Sequence, residues 1–209
     1  MRSTIIVLLV AVTGTLVSDV GFCRDWVQTP VDWKRISTLW EGYLEYPSSD
    51  NALLVYNALP KCGASLANLP QTEDRNEAIE KFYDELAMLE VQVCTRDRNA
   101  VRLAFRLMPI SDGAFAEWLD IMLGRLIRIA PRLFLEELAA HRDCVTGIGP
   151  LVGNQGGEFV DRFRAMSLES QLRFQALDSI PDTQLANVRK ECLNALREDI
   201  RDSIFIEKE

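Results

Sequence analysis

Histidine is almost absent from the chain, and His141 is the only one among 209 residues. Serine and cysteine nucleophiles are normally activated by an adjacent histidine, and the nearest candidates here are Cys144 and Thr146. Cys144 is better explained as half of a disulfide. His141 ends the predicted helix LEELAAH, where a partly protonated imidazole suits the negative end of the helix dipole. We therefore interpret His141 as a capping residue and predict no catalytic residues.

Motifs for metals and cofactors are also missing. His141 and Cys144 have a plausible spacing for zinc, but a structural site needs four ligands and the sequence has no second cluster. Five glycines lie between Gly147 and Gly157, ahead of a predicted helix at Glu158. No Gly-Lys-Ser/Thr follows and no strand precedes them, so a phosphate loop is not indicated. We predict no metal and no cofactor, and we interpret the glycines as a flexible connection.

Positive charge is in deficit, since 31 acidic residues outnumber 23 basic ones and the net charge is −8. An acidic surface repels phosphate backbones, which argues against binding to nucleic acids. It also argues against adhesion to anionic membrane surfaces. The expected partner is a protein or an acidic ligand that finds a local basic patch.

Long apolar runs are absent except at the start of the chain. Thr4 to Val17 is nearly all apolar, but its 14 residues are fewer than the roughly 20 that a membrane-spanning helix needs. A charged start, a short apolar middle and small residues after it are typical of a signal peptide, which we place at residues 1–23. Cleavage after Ser18 or Gly21, and an uncleaved anchor, are the alternatives. We expect a secreted or periplasmic protein with no stable membrane insertion.

Cysteine is scarce, with five residues in the chain and four after cleavage behind Cys23. An even number in an exported protein suggests two disulfides, and four cysteines allow three connectivities. Pairing Cys62 with Cys94, and Cys144 with Cys192, closes the shorter loops. We favour this arrangement over the other two.

Alternating apolar and polar residues, the pattern of a strand, do not occur outside the leader. Apolar residues instead recur every three or four positions. Helical patterns begin at Asp32 and Thr72, and Ser48 or Ser49 and Asp97 are placed as helix caps. The predicted fold is all-α, an irregular helical stack or bundle of about eight or nine helices. It forms one domain over residues 24–209, with possible halves 24–143 and 158–209 joined by the glycine-rich loop 145–157.

Two helices carry the clearest patterns. Thr72 begins one long helix whose apolar face runs from Ile79 to Val93. Ser111 caps another, in which seven side chains follow the amphipathic spacing without a miss: Phe115, Trp118, Leu119, Met122, Leu123, Leu126 and Ile127. Trp33 and Trp40 also fit helix faces, and we expect these tryptophans in the core. Trp26 falls in the irregular lead-in.

The segment 97–138 resembles one unit of the HEAT-type helical repeat family. A capped helix carrying Ala100-Val101-Arg102 is followed by a turn at Pro109 and a second amphipathic helix. NALLVYNALP, ending at Pro60, echoes NAVRLAFRLMP, ending at Pro109, but the echoes are unevenly spaced, unlike a regular array of that family. The resemblance implies an α–α stack that binds proteins.

Six arginines lie within a short stretch of this acidic chain. Arg98, Arg102 and Arg106 are spaced by four on one helix face. The others, on the neighbouring helix pair, are Arg125, Arg128 and Arg132. They could form a basic strip for an acidic partner, or they could pair with nearby acids, which include Glu117, Asp120, Glu136 and Glu137.

Taken together, these features favour an exported, non-catalytic helical module that binds another protein in the cell envelope or outside the cell. The alternative is a helical hydrolase acting on cell-wall glycan or peptide, because such enzymes use a glutamate at a helix end. Acid pairs at helical spacing exist, for example Glu117 with Asp120. The Gly-Leu-Met-Gln signature of lysozyme-like transglycosylases does not occur, and solvated ion pairs explain such acids equally well.

Overall fold

A computed structural model describes residues 31–63, 69–159, 162–181 and 183–206, and every regular element in these ranges is helical. The all-α prediction is confirmed, with ten α-helices in these ranges where eight or nine are predicted for the domain. They are α1 Trp33–Glu45, α2 Ser49–Ala58, α3 Glu73–Asp84, α4 Leu86–Cys94, α5 Arg98–Leu107, α6 Gly113–Ile129, α7 Pro131–Ala140, α8 Ile148–Gly153, α9 Phe163–Asp178 and α10 Ala186–Ile206. The predicted signal peptide, Cys23 and Trp26 lie outside the described residues.

The polar caps fix where four helices begin. The side chains of Asp32, Ser48, Thr72 and Asp97 each accept a hydrogen bond from the backbone N–H three residues further on. Such a bond satisfies one of the N–H groups that the first turn leaves open, and it contributes about 1 kcal/mol to stability. These predicted boundaries are therefore confirmed. Ser111 is not the cap of α6, because its hydroxyl donates to the Met108 carbonyl at 2.7 Å instead.

The long helix predicted after Thr72 is two helices. It breaks at Glu85, where the backbone leaves the helical region and separates α3 from α4. Neither glycine nor proline marks this break in the sequence, so the local pattern does not reveal it. Phe82 and Leu86, on either side of it, are both fully buried.

The glycine-rich segment is not a flexible connection. It contains α8, whose Leu151 and Val152 are fully buried and which packs against α6 and α10. The α-helix predicted at Glu158 is instead a short 3-10 turn at Gly157–Phe159, and the next α-helix, α9, begins at Phe163. The second part of the chain is therefore packed into the same core as the first.

Helix α6 is at the centre of the packing. It contacts α4, α5, α7, α8 and α9, while α10 covers α7, α8 and α9, and α1 packs on α2 and α3. All of its predicted apolar face is buried except Trp118, which is 37% exposed. At 100° per residue, Trp118 lies roughly 100° from the centre of that apolar stripe, so it sits at its edge. The core positions predicted for Trp33 and Trp40 are confirmed.

Arg173 is the most deeply buried cation of the described residues, with 1% of its surface exposed. Its guanidinium donates to the carbonyls of Val152 at 2.8 Å and Asn154 at 2.9 Å, where α8 ends, and it pairs with Glu169 at 3.1 Å. These bonds satisfy backbone carbonyls that the end of a helix leaves open. They fix α8 against α9 beside Gly124 of α6.

No helix within the described ranges has both the length and the apolar content that a membrane span requires.

Replacing Gly124 with alanine should destabilise the protein by about 1–3 kcal/mol, because the added methyl group overpacks a filled site. A Cβ there would lie 2.6 Å from Arg173 Nη1 and 3.1 Å from the Leu151 carbonyl oxygen. Gly42 is the matched control, since a Cβ there meets nothing within 4 Å, and Gly42→Ala should stabilise α1 by about 0.5–1 kcal/mol. Urea unfolding measures both; equal effects of the two substitutions would contradict this packing.

Candidate functional site

The arginine ridge of α5 faces acids of α7. Arg98 pairs with Glu136 at 2.5 Å and Glu137 at 3.0 Å, and Arg102 Nε donates to Glu137 at 3.1 Å. Glu137 is only 2% exposed. A buried carboxylate needs such partners, because losing its hydration costs several kcal/mol. The two arginines therefore supply the partners that Glu137 needs inside the protein.

Arg106, the third member of the ridge, is held by an aromatic ring. Its guanidinium carbon lies 4.4 Å from the centre of the Tyr56 ring, which is a cation–π contact. Nη1 also approaches the Pro60 carbonyl at 3.5 Å and Cys62 Sγ at 3.8 Å. Arg106 thus connects α5 to the end of α2.

The remaining three arginines have acidic partners as well. Arg125 pairs with Glu90, Arg128 pairs with Glu169 at 2.7 Å, and Arg132 pairs with Glu136 at 2.8 Å. The six arginines are therefore held by intramolecular contacts rather than displayed as an unpaired strip. Pairing with acids is one of the two alternatives that the sequence leaves open for these arginines. Two of the acids, Glu90 and Glu169, are distant in sequence from the arginines that they contact. A role for these arginines in partner binding stays a prediction.

His141 is buried at the end of α7 and is bonded on both ring nitrogens. Nδ1 lies 2.8 Å from the Glu137 carbonyl oxygen, and Nε2 lies 2.9 Å from the Tyr56 hydroxyl. The imidazole also stacks on Phe105, with ring centres 5.8 Å apart. A carbonyl can only accept, so Nδ1 carries the proton and Nε2 accepts from Tyr56. The predicted capping position is confirmed, but burial lowers the pKa of His141 and favours the neutral ring over the expected partly protonated one.

The structure joins Cys62 to Cys144, with their Cα atoms 4.9 Å apart. The favoured pairing of Cys62 with Cys94, and of Cys144 with Cys192, is therefore wrong. The reason is topological: α2 packs on α5 and α5 packs on α7, which brings the ends of α2 and α7 together. Cys94 and Cys192 are free thiols. Burial raises the pKa of Cys192 to about 12, so this thiol is protonated and unreactive.

An open groove lies between α3, α4 and α6. It consists of two adjoining cavities of about 390 and 310 Å³ that share Tyr83 and Ala114 in their linings. Arg75 and Ile79 of α3 line the first, and Trp118 of α6 lines the second. We name this feature the aromatic groove. None of the residues predicted for partner binding lies in it except Arg125.

Three aromatic rings form the middle of the aromatic groove. Tyr83 lies 6.1 Å from Phe115 and 6.3 Å from Trp118 between ring centres, and the second pair is nearly perpendicular at 84°. Phe115 is buried at 4% exposure, whereas Tyr83 and Trp118 are 36% and 37% exposed. Edge-to-face pairs of this kind fix ring positions. The groove therefore presents a rigid aromatic surface to solvent.

Carboxylates outnumber cations along the aromatic groove. Glu90 accepts hydrogen bonds from Trp118 Nε1 at 3.1 Å and from Arg125, which fixes the indole. The other carboxylates of the lining, Glu80, Asp112 and Glu117, are exposed. Tyr83 of α3 and Trp118 of α6 belong to the apolar faces predicted to face the core, so the sequence does not predict this site. The one signal of the aromatic groove in the sequence is that Trp118 lies at the edge of the apolar stripe of α6.

Asp120 is the acid most relevant to a hydrolase. Burial, together with the neighbouring charge of Glu117, raises its pKa to about 6. A carboxyl group with this pKa resembles a general acid. Asp120 is not part of the groove lining, however, whereas Glu117 is. Within the described residues, no three His, Cys, Asp or Glu side chains are grouped as metal ligands.

Removing the disulfide should cost about 4 kcal/mol of stability, because the crosslink closes a loop of 82 residues and so restricts the conformations of the unfolded chain. The double variant Cys62→Ser/Cys144→Ser, compared with wild type by urea unfolding, checks this, with Cys94→Ser as a control that keeps the crosslink. Peptide mapping without reductant should recover Cys62 linked to Cys144. A peptide that joins Cys62 to Cys94 would contradict the structure.

Asp120→Asn should raise the free energy of unfolding at pH 7.5 by up to about 3 kcal/mol, which corresponds to the rise in pKa from 3.8 to about 6. The folded state holds this proton more tightly than the unfolded state, so the wild type loses stability as pH rises from about 4 to about 6. The advantage of the asparagine should therefore vanish near pH 4. Urea unfolding at both pH values measures it, and the same advantage at both would show that charge is not the cause.

No protein-family model matches the chain, and the searches of curated proteins and of solved structures found no similar sequence or fold.

Proposed function

We propose that the chain is an exported, non-catalytic helical module that binds another protein, and that the aromatic groove is its binding surface. One observation carries this proposal: two half-exposed aromatic side chains, Tyr83 and Trp118, lie in an open concave feature. Large aromatic side chains that line concave surfaces dominate the energetics of protein interfaces. The remaining conspicuous polar groups, among them the arginine ridge and His141, are bonded inside the molecule.

Export is part of the proposal and rests on the leader of the sequence. The disulfide between Cys62 and Cys144 supports export, since disulfides persist in oxidising compartments and are rare in the cytosol.

The resemblance of residues 97–138 to a HEAT-type unit supports the protein-binding part of the proposal. Here α5 is followed by a short 3-10 turn at Met108–Ile110 and then by α6, which is the helix–turn–helix order expected of such a unit.

A hydrolase acting on cell-wall glycan or peptide is the second candidate, and the raised pKa of Asp120 is the observation in its favour. A general acid must reach the leaving group of its substrate within hydrogen-bond distance. Asp120 is buried and does not line the groove. Binding without catalysis is therefore the better interpretation of the aromatic groove.

Photo-crosslinking tests the binding surface directly. A benzophenone amino acid placed at Ala114 or at Glu117, both exposed in the groove, should form one discrete adduct with a protein of the extracytoplasmic extract of the source organism. The same probe at Leu168 is the control, because this α9 side chain is 55% exposed but is not part of the groove. The adducts should be lost in the background of Tyr83→Ala or Trp118→Ala.

The protein identified in the adduct is then purified and titrated. Trp118→Ala should weaken its binding about tenfold or more, as expected for an interface hot spot. Leu54→Ala, which truncates another exposed apolar side chain, should leave binding unchanged. Equal yields of adduct from the groove positions and from Leu168 would contradict the proposal. Clearing of a cell-wall suspension that Asp120→Asn abolishes would establish the hydrolase in its place.

A further inference from the structure

We infer that the occupant of the aromatic groove is a short cationic segment of polypeptide, in which lysine or arginine flanks an apolar side chain. This inference rests on the proposed function and specifies its partner. The lining of the groove contains four carboxylates and two guanidinium groups, and one of the latter, Arg125, is paired with Glu90. The carboxylates left exposed are Glu80, Asp112 and Glu117. Fields from clustered carboxylates attract cations and repel anionic ligands.

The aromatic rings add a second attraction for cations. Tyrosine and tryptophan faces attract lysine and arginine side chains, and tryptophan does so most strongly. Trp118 is held in place through its Nε1, which donates to Glu90 at 3.1 Å. Its partly exposed ring and the exposed carboxylate of Glu117 line the same cavity of the groove. A cationic side chain at this position meets both an aromatic ring and a carboxylate.

Ring geometry favours a peptide over a glycan. Sugar rings and nucleobases stack best on flat aromatic faces that lie in series, but the Tyr83 and Trp118 rings are tilted by 84° to each other. Two perpendicular rings instead form a corner that fits a single bulky side chain. The negative charge of the lining also disfavours phosphorylated and acidic glycans.

The other end of the groove offers hydrogen-bond donors for a peptide backbone. Gln71, Arg75 and Asn76 line it, and their amide and guanidinium groups donate to carbonyl oxygens. From Arg75 to Tyr83 along α3 is about 12 Å, which an extended peptide spans with about four residues. With two more residues to reach Trp118, the groove accommodates about six residues. A heptapeptide is therefore a sufficient probe.

The test measures fluorescence polarisation with two labelled heptapeptides on the full oxidised protein. One alternates lysine with tryptophan and leucine, and the other has glutamine in place of each lysine. The lysine peptide should bind at least tenfold more tightly, and raising the salt concentration from 50 to 500 mM should weaken it, because exposed charges are screened. Unlabelled chitohexaose, a neutral glycan of similar length, should not compete.

Two double variants that change the net charge equally separate the groove from the rest of the surface. Glu80→Gln/Glu117→Gln removes two groove carboxylates and should weaken binding of the lysine peptide about fourfold to twenty-fivefold, at about two- to fivefold for each exposed ion pair. Glu45→Gln/Glu198→Gln removes two exposed carboxylates of α1 and α10 and should change the affinity less than twofold. Circular dichroism confirms that both variants are folded.

Three outcomes would overturn the inference. They are equal binding of the two peptides, equal losses from the two double variants, and competition by chitohexaose. If any of these occurs while the crosslinks at Ala114 and Glu117 still form, the groove binds a protein of different chemistry and the proposed function stands. If the crosslinks are missing as well, both proposals fail.

Discussion

Burial of the apolar face of α6 is the constraint on which the rest of the fold depends. Side chains from Phe115 to Ile127 form one stripe, and five other helices contact this helix. Each buried side chain of this kind contributes about 2 kcal/mol, and this stripe of α6 contains six of them. Gly124 allows α8 and α9 to approach its second side closely. The helices before and after α6 are thereby packed into one core.

Burying helices that are rich in charge imposes a second constraint, because each buried ion needs a partner. Glu137 is satisfied by two arginines of α5, and Arg173 by backbone carbonyls and Glu169. Isolated surface ion pairs are worth little, but removing one partner of a buried charge is costly. Arg98 and Arg102, two of the arginines that look like a binding strip in the sequence, are therefore the partners that buried Glu137 needs.

This use of arginine inside the molecule has a consequence for the surface. The chain has a net charge of −8, and the carboxylates that line the aromatic groove exceed the guanidinium groups there. The groove combines that charge with the exposed rings of Tyr83 and Trp118. The proposed recognition of a cationic partner rests on this excess of carboxylates and on the two exposed rings.

The all-α class, the starts of α1, α2, α3 and α5, and the apolar face of α6 were determined by the sequence alone, because capping and amphipathic spacing act between residues three or four apart. The break at Glu85 and the helix hidden among the glycines depend on packing, and local patterns do not report them. The same is true of the bond between Cys62 and Cys144, which requires α2, α5 and α7 to be stacked first. The exposure of the Trp118 side chain was decided only by the tertiary structure. A residue at the edge of an apolar stripe is buried or exposed according to which helix lies beside it.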